Sequence, residues 1–205
     1  MPDLTEAGSS EAHAFRVMFA ARKRVFIDLL RWDLPVLADK YEVDQFDNRD
    51  ADYLILLDEA GEHRASARLL RTDTPHILRD MFPVLCPGPI PSGPTTREIT
   101  RFCLDPRLSA AERKVARNEL VTALVQYALR KGVTDFTGVA GLAWFRQIRT
   151  FGWQCTALGE PVMQNGQQLV GLHISIDKLT LAGLRKAGCY AKPTREMPSA
   201  IGGLA

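Results

Sequence analysis

Glu98 and Arg101 stand inside the apolar stretch Glu98-Ile99-Thr100-Arg101-Phe102, where side chains of a strand are expected to pack. Four more charges sit in similar places. Arg22 lies one turn before Phe26 in an apolar-periodic segment, Asp44 and Asp47 flank Phe46, and Arg68 falls between Ala67 and Leu69. Charges so placed are costly to bury unless paired. The six cancel, three against three, so a mutual network is expected. Such a set suits either a structural ion-pair network or a polar site for a charged substrate. The other reactive types form no comparable group. His13, His63, His76 and His173 have no metal-ligand spacing, and Cys103 has no histidine near it in sequence, so burial is its expected role.

The composition narrows the classes. The chain has 205 residues, 46% hydrophobic and 24% charged, with a formal net charge of +2. Those figures fit one globular domain and give no ground for nucleic-acid binding. No apolar run is long enough to span a bilayer. The first eleven residues are acidic and rich in small side chains, without a secretory pattern. Cys86, Cys103, Cys155 and Cys189 are widely separated, so neither a disulfide framework nor a zinc site is expected. A cytoplasmic, metal-free protein is the expectation. A single domain over residues 1–190 is expected, with a loosely ordered tail over 191–205.

The elements that must position the charges can be read in order. Residues 11–30 have helical periodicity, ended by Trp32 and Pro35. An acidic loop spans residues 34–52. Strand-like runs at 53–57 and 65–70 flank a short Gly-containing connection and read as a hairpin. A brief helix at 76–82 and a Pro/Gly-rich loop at 86–94 precede a strand at 98–104. Ser109 with Glu112 is a capping-box pattern opening a long helix, and Gly132 marks its stop. A strand at 136–139, a helix at 142–151, strands at 153–158 and 169–176, and a short helix at 179–187 complete the order. This predicts an α/β fold: a single-domain α-β-α sandwich with a mixed, mostly antiparallel sheet. Acyl-CoA-dependent N-acetyltransferases have this kind of order, a likeness of fold that proves no function.

Several motifs in series carry a more specific likeness. Arg22-Lys23-Arg24-Val25-Phe26, Trp32, Glu42-Val43-Asp44-Gln45-Phe46-Asp47, Ala67-Arg68-Leu69-Leu70-Arg71-Thr72, Pro75-His76 and Glu98-Ile99-Thr100-Arg101-Phe102 follow one another over about residues 14–155. Together they resemble the acyl-homoserine lactone synthases, the LuxI-type autoinducer synthases. Arg22, Phe26, Trp32, Asp44, Asp47, Arg68, Glu98 and Arg101 match the family's functional positions.

The resemblance implies a reaction and a set of roles. The amine of S-adenosylmethionine attacks an acyl thioester, usually on acyl carrier protein, and the methionine carboxylate then closes the lactone as methylthioadenosine leaves. Asp44 and Asp47 would face the cationic centres, and Arg22, Arg68 or Arg101 the carboxylate. Phe26 and Trp32 offer flat surfaces for adenine or the sulfonium, with Phe102 beside them. Glu98 is the candidate base. Strand alternation puts Glu98 and Arg101 on opposite faces, so an irregularity is expected near residues 99–104. Candidate acyl-pocket residues are Phe102, Val121, Leu124, Gly138, Val139, Leu142, Trp144 and Phe145. Relatives that prefer 3-oxo chains often have threonine at the position aligned with Gly138, which argues for unsubstituted chains. Arg113, Lys114, Arg117, Arg146 and Arg149 are candidates for docking acidic acyl carrier protein. No glycine-rich pyrophosphate loop follows Leu104, which weighs against coenzyme A. No cofactor or metal is expected, S-adenosylmethionine being a substrate. The alternatives are an ordinary acyl-CoA N-acyltransferase acting on another amine, and a non-catalytic ligand sensor on the same scaffold.

Overall fold

A computed structural model describes residues 4–164 and 166–192. The expected tail therefore lies, from residue 193 on, outside the described residues. No helix among the described residues is long and apolar enough to cross a membrane.

The chain opens with helix α1 (Leu4–Arg22), which passes without a break into a π-helical segment, Lys23–Leu29. The wider turn shows in Leu30 N–H bonding to Val25 O at 2.9 Å. The acidic loop contains a small hairpin, β1 (Val36–Leu37) and β2 (Tyr41–Glu42). Its turn sets Ala38 and Asp39 at φ 51° and 54°, closed by Lys40 N–H on Leu37 O at 3.1 Å. That is a type I′ turn formed without glycine.

The main sheet has seven strands. They are β3 (Asp52–Leu57), β4 (His63–Arg71), β5 (Thr96–Leu104), β6 (Asp135–Gly141), β7 (Gln154–Ala157), β8 (Val162–Gln164) and β9 (Gln167–Ser175). The spatial order is β3-β4-β5-β6-β9-β7, with β8 also paired to β9. Among the described residues only β5 and β6 run parallel, joined by the long crossover helix α3 (Ala110–Lys131). The expected capping box is present, and Gly132 stops α3 at φ 69° in the left-handed region. Three short helices complete the fold: α2 (Ile77–Met81), α4 (Leu142–Ile148) and α5 (Thr180–Lys186). Strand β8 had no counterpart in the sequence pattern, because it is three half-exposed or exposed residues held only by β9.

Strand alternation divides the core in two. Leu54, Leu56, Ala67, Leu69, Phe136 and Leu172 pack with Leu120, Val121 and Leu124 of α3. Tyr53, Ile55 and Leu70 face the other way, onto Phe15, Met18 and Phe19 of α1 and Ile77 of α2. Two irregularities meet at the sheet's centre. Pairing of β5 with β6 is registered only from Thr96↔Asp135 to Ile99↔Gly138. Pairing of β4 with β5 slips between Ser66↔Cys103 and Arg68↔Thr100, so an extra residue bulges from β5. Arg101 occupies that bulge with φ 49°, an uncommon conformation for a residue with a side chain. The irregularity expected near residues 99–104 is therefore a bulge at Arg101.

Candidate active site

The bulge brings Arg101 to the same face as Arg68, Glu98 and Thr100. Four elements converge there. The last turn of α1 supplies Arg22, the small hairpin and the loop behind it supply Glu42 at the end of β2 and then Asp44 and Asp47, β4 supplies Arg68, and β5 supplies Arg101. Arg22 Nε donates to Glu42 Oε2 at 2.5 Å, and its two terminal nitrogens grip both Asp47 oxygens at 2.7 and 2.8 Å. Arg68 holds both Asp44 oxygens at 2.6 and 3.0 Å and lies 2.8 Å from Asp47. Arg101 Nη2 donates to Glu42 at 3.0 Å and to Asp44 at 2.6 Å. Three guanidinium groups thus bind three carboxylates.

The membership of this network differs from the sequence reading in one residue. Glu98 is not in it, and Glu42 takes its place. Charge still balances, which is why counting charges did not reveal the exchange. Glu42 lies two residues before Asp44 in the same acidic loop, and β2 turns it, fully buried, against both Arg22 and Arg101. Tyr53 and Thr100 were also missed. Tyr53 donates to Asp47 Oδ1 at 2.7 Å, and Thr100 Oγ1 accepts from Arg68 Nε at 2.9 Å. Both look like ordinary strand residues in sequence.

Burial shapes the electrostatics. Arg22 and Arg68 are 1% exposed, whereas Arg101 keeps 9% of its side-chain surface in contact with solvent. Burial by itself would raise the Asp47 carboxyl, but the hydrogen bonds and charge of Arg22 hold it well below the usual carboxylate range. Asp44 is lowered the same way, Arg68 outweighing its desolvation. The carboxylates of Glu42, Asp44 and Asp47 approach closely enough to hold a metal ion, but their oxygens are already committed to the three arginines.

Glu98 has a separate environment. It is fully buried and accepts the N–H groups of Ile77 and Leu78, at 2.7 and 2.8 Å, where α2 begins. Burial pushes its carboxyl up to about 7, even though those amides and Arg68 act to lower it. Glu98 thus holds a proton more readily than an ordinary carboxylate, which suits a group that takes one up. Its side chain leaves the sheet on the same face as the network.

The aromatic residues form the outer wall. Phe26 and Trp32 stack at 5.0 Å with planes 25° apart, and the Arg101 guanidinium lies 5.5 Å from the Phe26 ring centre. Trp32 is 39% exposed, whereas Phe26 is buried. The wide turn of the π-helical segment carries Phe26 to this position. On the opposite sheet face, Val121, Leu124 and Phe145 belong to the α3-side cluster, with Phe102, Leu142 and Trp144 packed against it. Gly138 faces the same side, beside Leu172. Val139 instead packs with the α1-side cluster, because its neighbour in sequence takes the other face.

The basic residues of α3 and α4 are only partly available. Arg113 donates to the carbonyls of Pro106 and Leu108, at 3.3 and 3.0 Å. Arg117 lies 4.9 Å over the Phe151 ring and Arg149 lies 5.9 Å over Phe145. Arg113, Lys114, Arg146 and Arg149 are exposed and Arg117 is half-buried, and Lys114 and Arg146 carry none of these contacts. Among the remaining candidates for chemistry, Cys103 is fully buried, with its thiol pushed up to about 12 by burial.

A sheet that opens between its two parallel central strands, crossed by one long helix and faced by a buried carboxylate, defines an α/β protein of the N-acetyltransferase type. The chain resembles a solved acyl-CoA N-acyltransferase from Pseudomonas aeruginosa in fold alone, with TM-score 0.51 and 16% identity over 80% of this chain and 90% of that one. More specifically, the chain belongs to the autoinducer synthase family, whose model matches residues 7–182. It is 36% identical to the acyl-homoserine-lactone synthase of Rhizobium etli, over 80% of this chain and 78% of that one. It is 31% identical to the acyl-homoserine-lactone synthase of Ralstonia nicotianae, covering 84% and 87%. Among solved structures it is similar to TofI in a complex with an inhibitor and MTA, with TM-score 0.74, 32% identity, and 85% and 90% of the two chains covered.

Proposed function

We propose that this protein N-acylates S-adenosylmethionine from an acyl thioester and lactonises the product to an N-acyl-homoserine lactone, releasing methylthioadenosine. The observation that carries this reading is the pairing, on one sheet face, of a base poised near neutrality with a half-open cationic and aromatic wall. Glu98 takes the proton of the substrate ammonium, whose ordinary pKa lies near 8. Arg101 spends Nε and Nη2 on Glu42 and Asp44 and turns its remaining nitrogen to the methionine carboxylate. Trp32 receives the adenine or the sulfonium on its exposed ring. Arg22 and Arg68 are spent inside the network and act by holding Asp44 and Asp47 rigid.

The acyl chain runs along the α3 face, past Phe102, Gly138 and Leu124. A Cβ at position 138 would lie 3.0 Å from the Ile99 carbonyl, so a threonine there would press on β5. This supports unsubstituted acyl chains. The donor is acyl carrier protein rather than coenzyme A. The start of α3 is closed by its own capping box, with Ser109 N–H on Glu112 Oε2 at 2.8 Å, and that carboxylate disfavours a diphosphate at this helix end. Lys114 and Arg146 are the docking cations.

The test is to incubate the purified chain with S-adenosylmethionine and a panel of acyl-carrier-protein and acyl-CoA thioesters. Mass spectrometry should detect methylthioadenosine and acyl-homoserine lactone in equal amounts. Absence of methylthioadenosine with every donor overturns the reading.

A further inference from the structure

Among the described residues, four that are not glycine adopt the left-handed backbone: Arg31, Ala38, Asp39 and Arg101, at φ 60°, 51°, 54° and 49°. Ala38 and Asp39 make the turn of the small hairpin, and Arg101 makes the bulge of β5. Arg31 is the remaining one, and it stands directly before Trp32. A residue with a Cβ is disfavoured in this conformation, and glycine usually fills such a position at a helix end.

The hydrogen bonds show what the turn at Arg31 does. Leu30 N–H reaches Val25 O at 2.9 Å as the last wide turn closes, and Arg31 N–H reaches Ile27 O at 3.2 Å. The chain then reverses, and Trp32 N–H returns to Phe26 O at 2.9 Å. The same two residues stack their rings at 5.0 Å, with planes 25° apart. Phe26 and Trp32 are thus joined twice, through the backbone and through the rings. Packing does not impose this geometry on the segment, since residues 28–33 are all exposed. Nor does the Arg31 side chain, which makes no hydrogen bond or ion pair among the described residues. The left-handed turn itself is what brings Trp32 back. An extended or right-handed helical residue at position 31 would carry Trp32 away from Phe26.

We propose that Arg31 is a positioning residue: its left-handed backbone, and not its charge, sets Trp32 on Phe26 and so completes the aromatic wall for S-adenosylmethionine. This rests on the reading of that wall given above. A ring pair set before the ligand arrives lowers the ordering cost of binding. A chain that holds the turn only part of the time binds with an affinity reduced by that fraction.

The experiment compares the full-length wild type with Arg31→Gly and Arg31→Val. Both variants lose the guanidinium, but glycine accepts the left-handed backbone and a β-branched residue resists it. Calorimetry gives the Kd for S-adenosylmethionine, and methylthioadenosine release gives KM and kcat. Near-UV circular dichroism of the ligand-free chain reads the ring pair, with the Trp32 contribution defined by subtracting the spectrum of Trp32→Phe. Arg31→Val is expected to raise Kd and KM for S-adenosylmethionine about tenfold and to lose the Trp32 contribution. Its KM for the acyl donor and its kcat at saturating S-adenosylmethionine should stay within about twofold, and its Tm should fall by no more than about 4 °C. Arg31→Gly should match wild type within about twofold in every constant and keep the Trp32 contribution. A glycine variant that loses as much affinity as the valine variant overturns the proposal, because the guanidinium would then be what matters. A valine variant with wild-type affinity overturns it, as does one that loses affinity with the ring signal unchanged. An unfolded valine variant also overturns it, since the turn would then hold the fold and not the ring pair. If the wild type binds no S-adenosylmethionine, the functional reading fails by itself, and the ring signals of the two variants still decide whether Arg31 sets the pair.

Discussion

Arg101 Nη2 reaches Asp44 Oδ2 at 2.6 Å only because Arg101 itself sits at φ 49° in a bulge of β5. In a regular strand its side chain would point into the α3 side of the core. The strained residue is thus the one that joins the buried network to Phe26 and, through it, to the exposed Trp32. Arg101→Lys keeps the charge but loses the fork that spans Glu42 and Asp44. It should lower kcat/KM for S-adenosylmethionine by about a hundredfold, equivalent to ~3 kcal/mol. Steady-state kinetics on a variant shown to be folded by circular dichroism decides this, and near-normal kcat/KM would count against the role given to Arg101.

Glu42 is expected to matter most for stability. Glu42→Gln leaves Arg22 and Arg101 with one carboxylate fewer in a buried site, and breaking a buried pair from one side costs about 3–5 kcal/mol. Chemical denaturation should show a loss of that order, and a loss below about 1 kcal/mol would mean that the network is better hydrated than its burial indicates.

Two buried groups should give opposite pH slopes to folding stability. Glu98 is raised to about 7 by burial, so the native state holds a proton that the unfolded chain has already lost, and stability falls as pH rises from about 4.5 to 7. His63 is lowered to about 4, chiefly by burial, so the unfolded chain binds the extra proton, and stability rises over about pH 4 to 6.5. Each effect is at most about 3 kcal/mol, and the windows overlap. Wild-type stability should therefore be nearly flat from pH 4.5 to 6.5. Glu98→Gln should expose a rising curve and His63→Gln a falling one. Denaturant midpoints across that range provide the check, and parallel curves for the two variants would refute the assignment.

Activity should follow Glu98 as well. The base is its ionised form, so kcat should fall on the acid side of about pH 7, with a single-proton limb. Glu98→Gln should remove that limb and lower kcat by about 10²–10⁴-fold. Rates across pH 5.5–8.5 at saturating substrate test it, and a near-normal rate in the glutamine variant would displace Glu98 as the base.

The docking surface gives a donor-specific outcome. Reversing charge with Lys114→Glu and Arg146→Glu should raise KM for acyl carrier protein donors by about tenfold at low salt, with no change for a free acyl thioester of the same chain. Equal effects on both donors would show that these residues act on the fold instead.

Much of the architecture was legible in the sequence, because the signals are local. Ser109, Glu112 and Gly132 bound α3 through contacts within a few residues. The apolar period of residues 11–30, which runs on into the π-helical segment from Lys23, and the Gly-containing turn before β4 likewise set elements from nearby chemistry. The motif series around Arg22, Asp44, Arg68 and Glu98 identified the family. Even the need for an irregularity between Glu98 and Arg101 followed from strand alternation. What only the tertiary structure decided are choices of partner. Glu42 rather than Glu98 balances the arginines, because β2 and β5 bring residues 42 and 101 together although they are 59 positions apart. Thr137 comes to lie beside Glu98 by sheet register alone. Periodicity tells which residues share a face, but pairing energy depends on distances between distant segments, and a chain of residue types carries no distance.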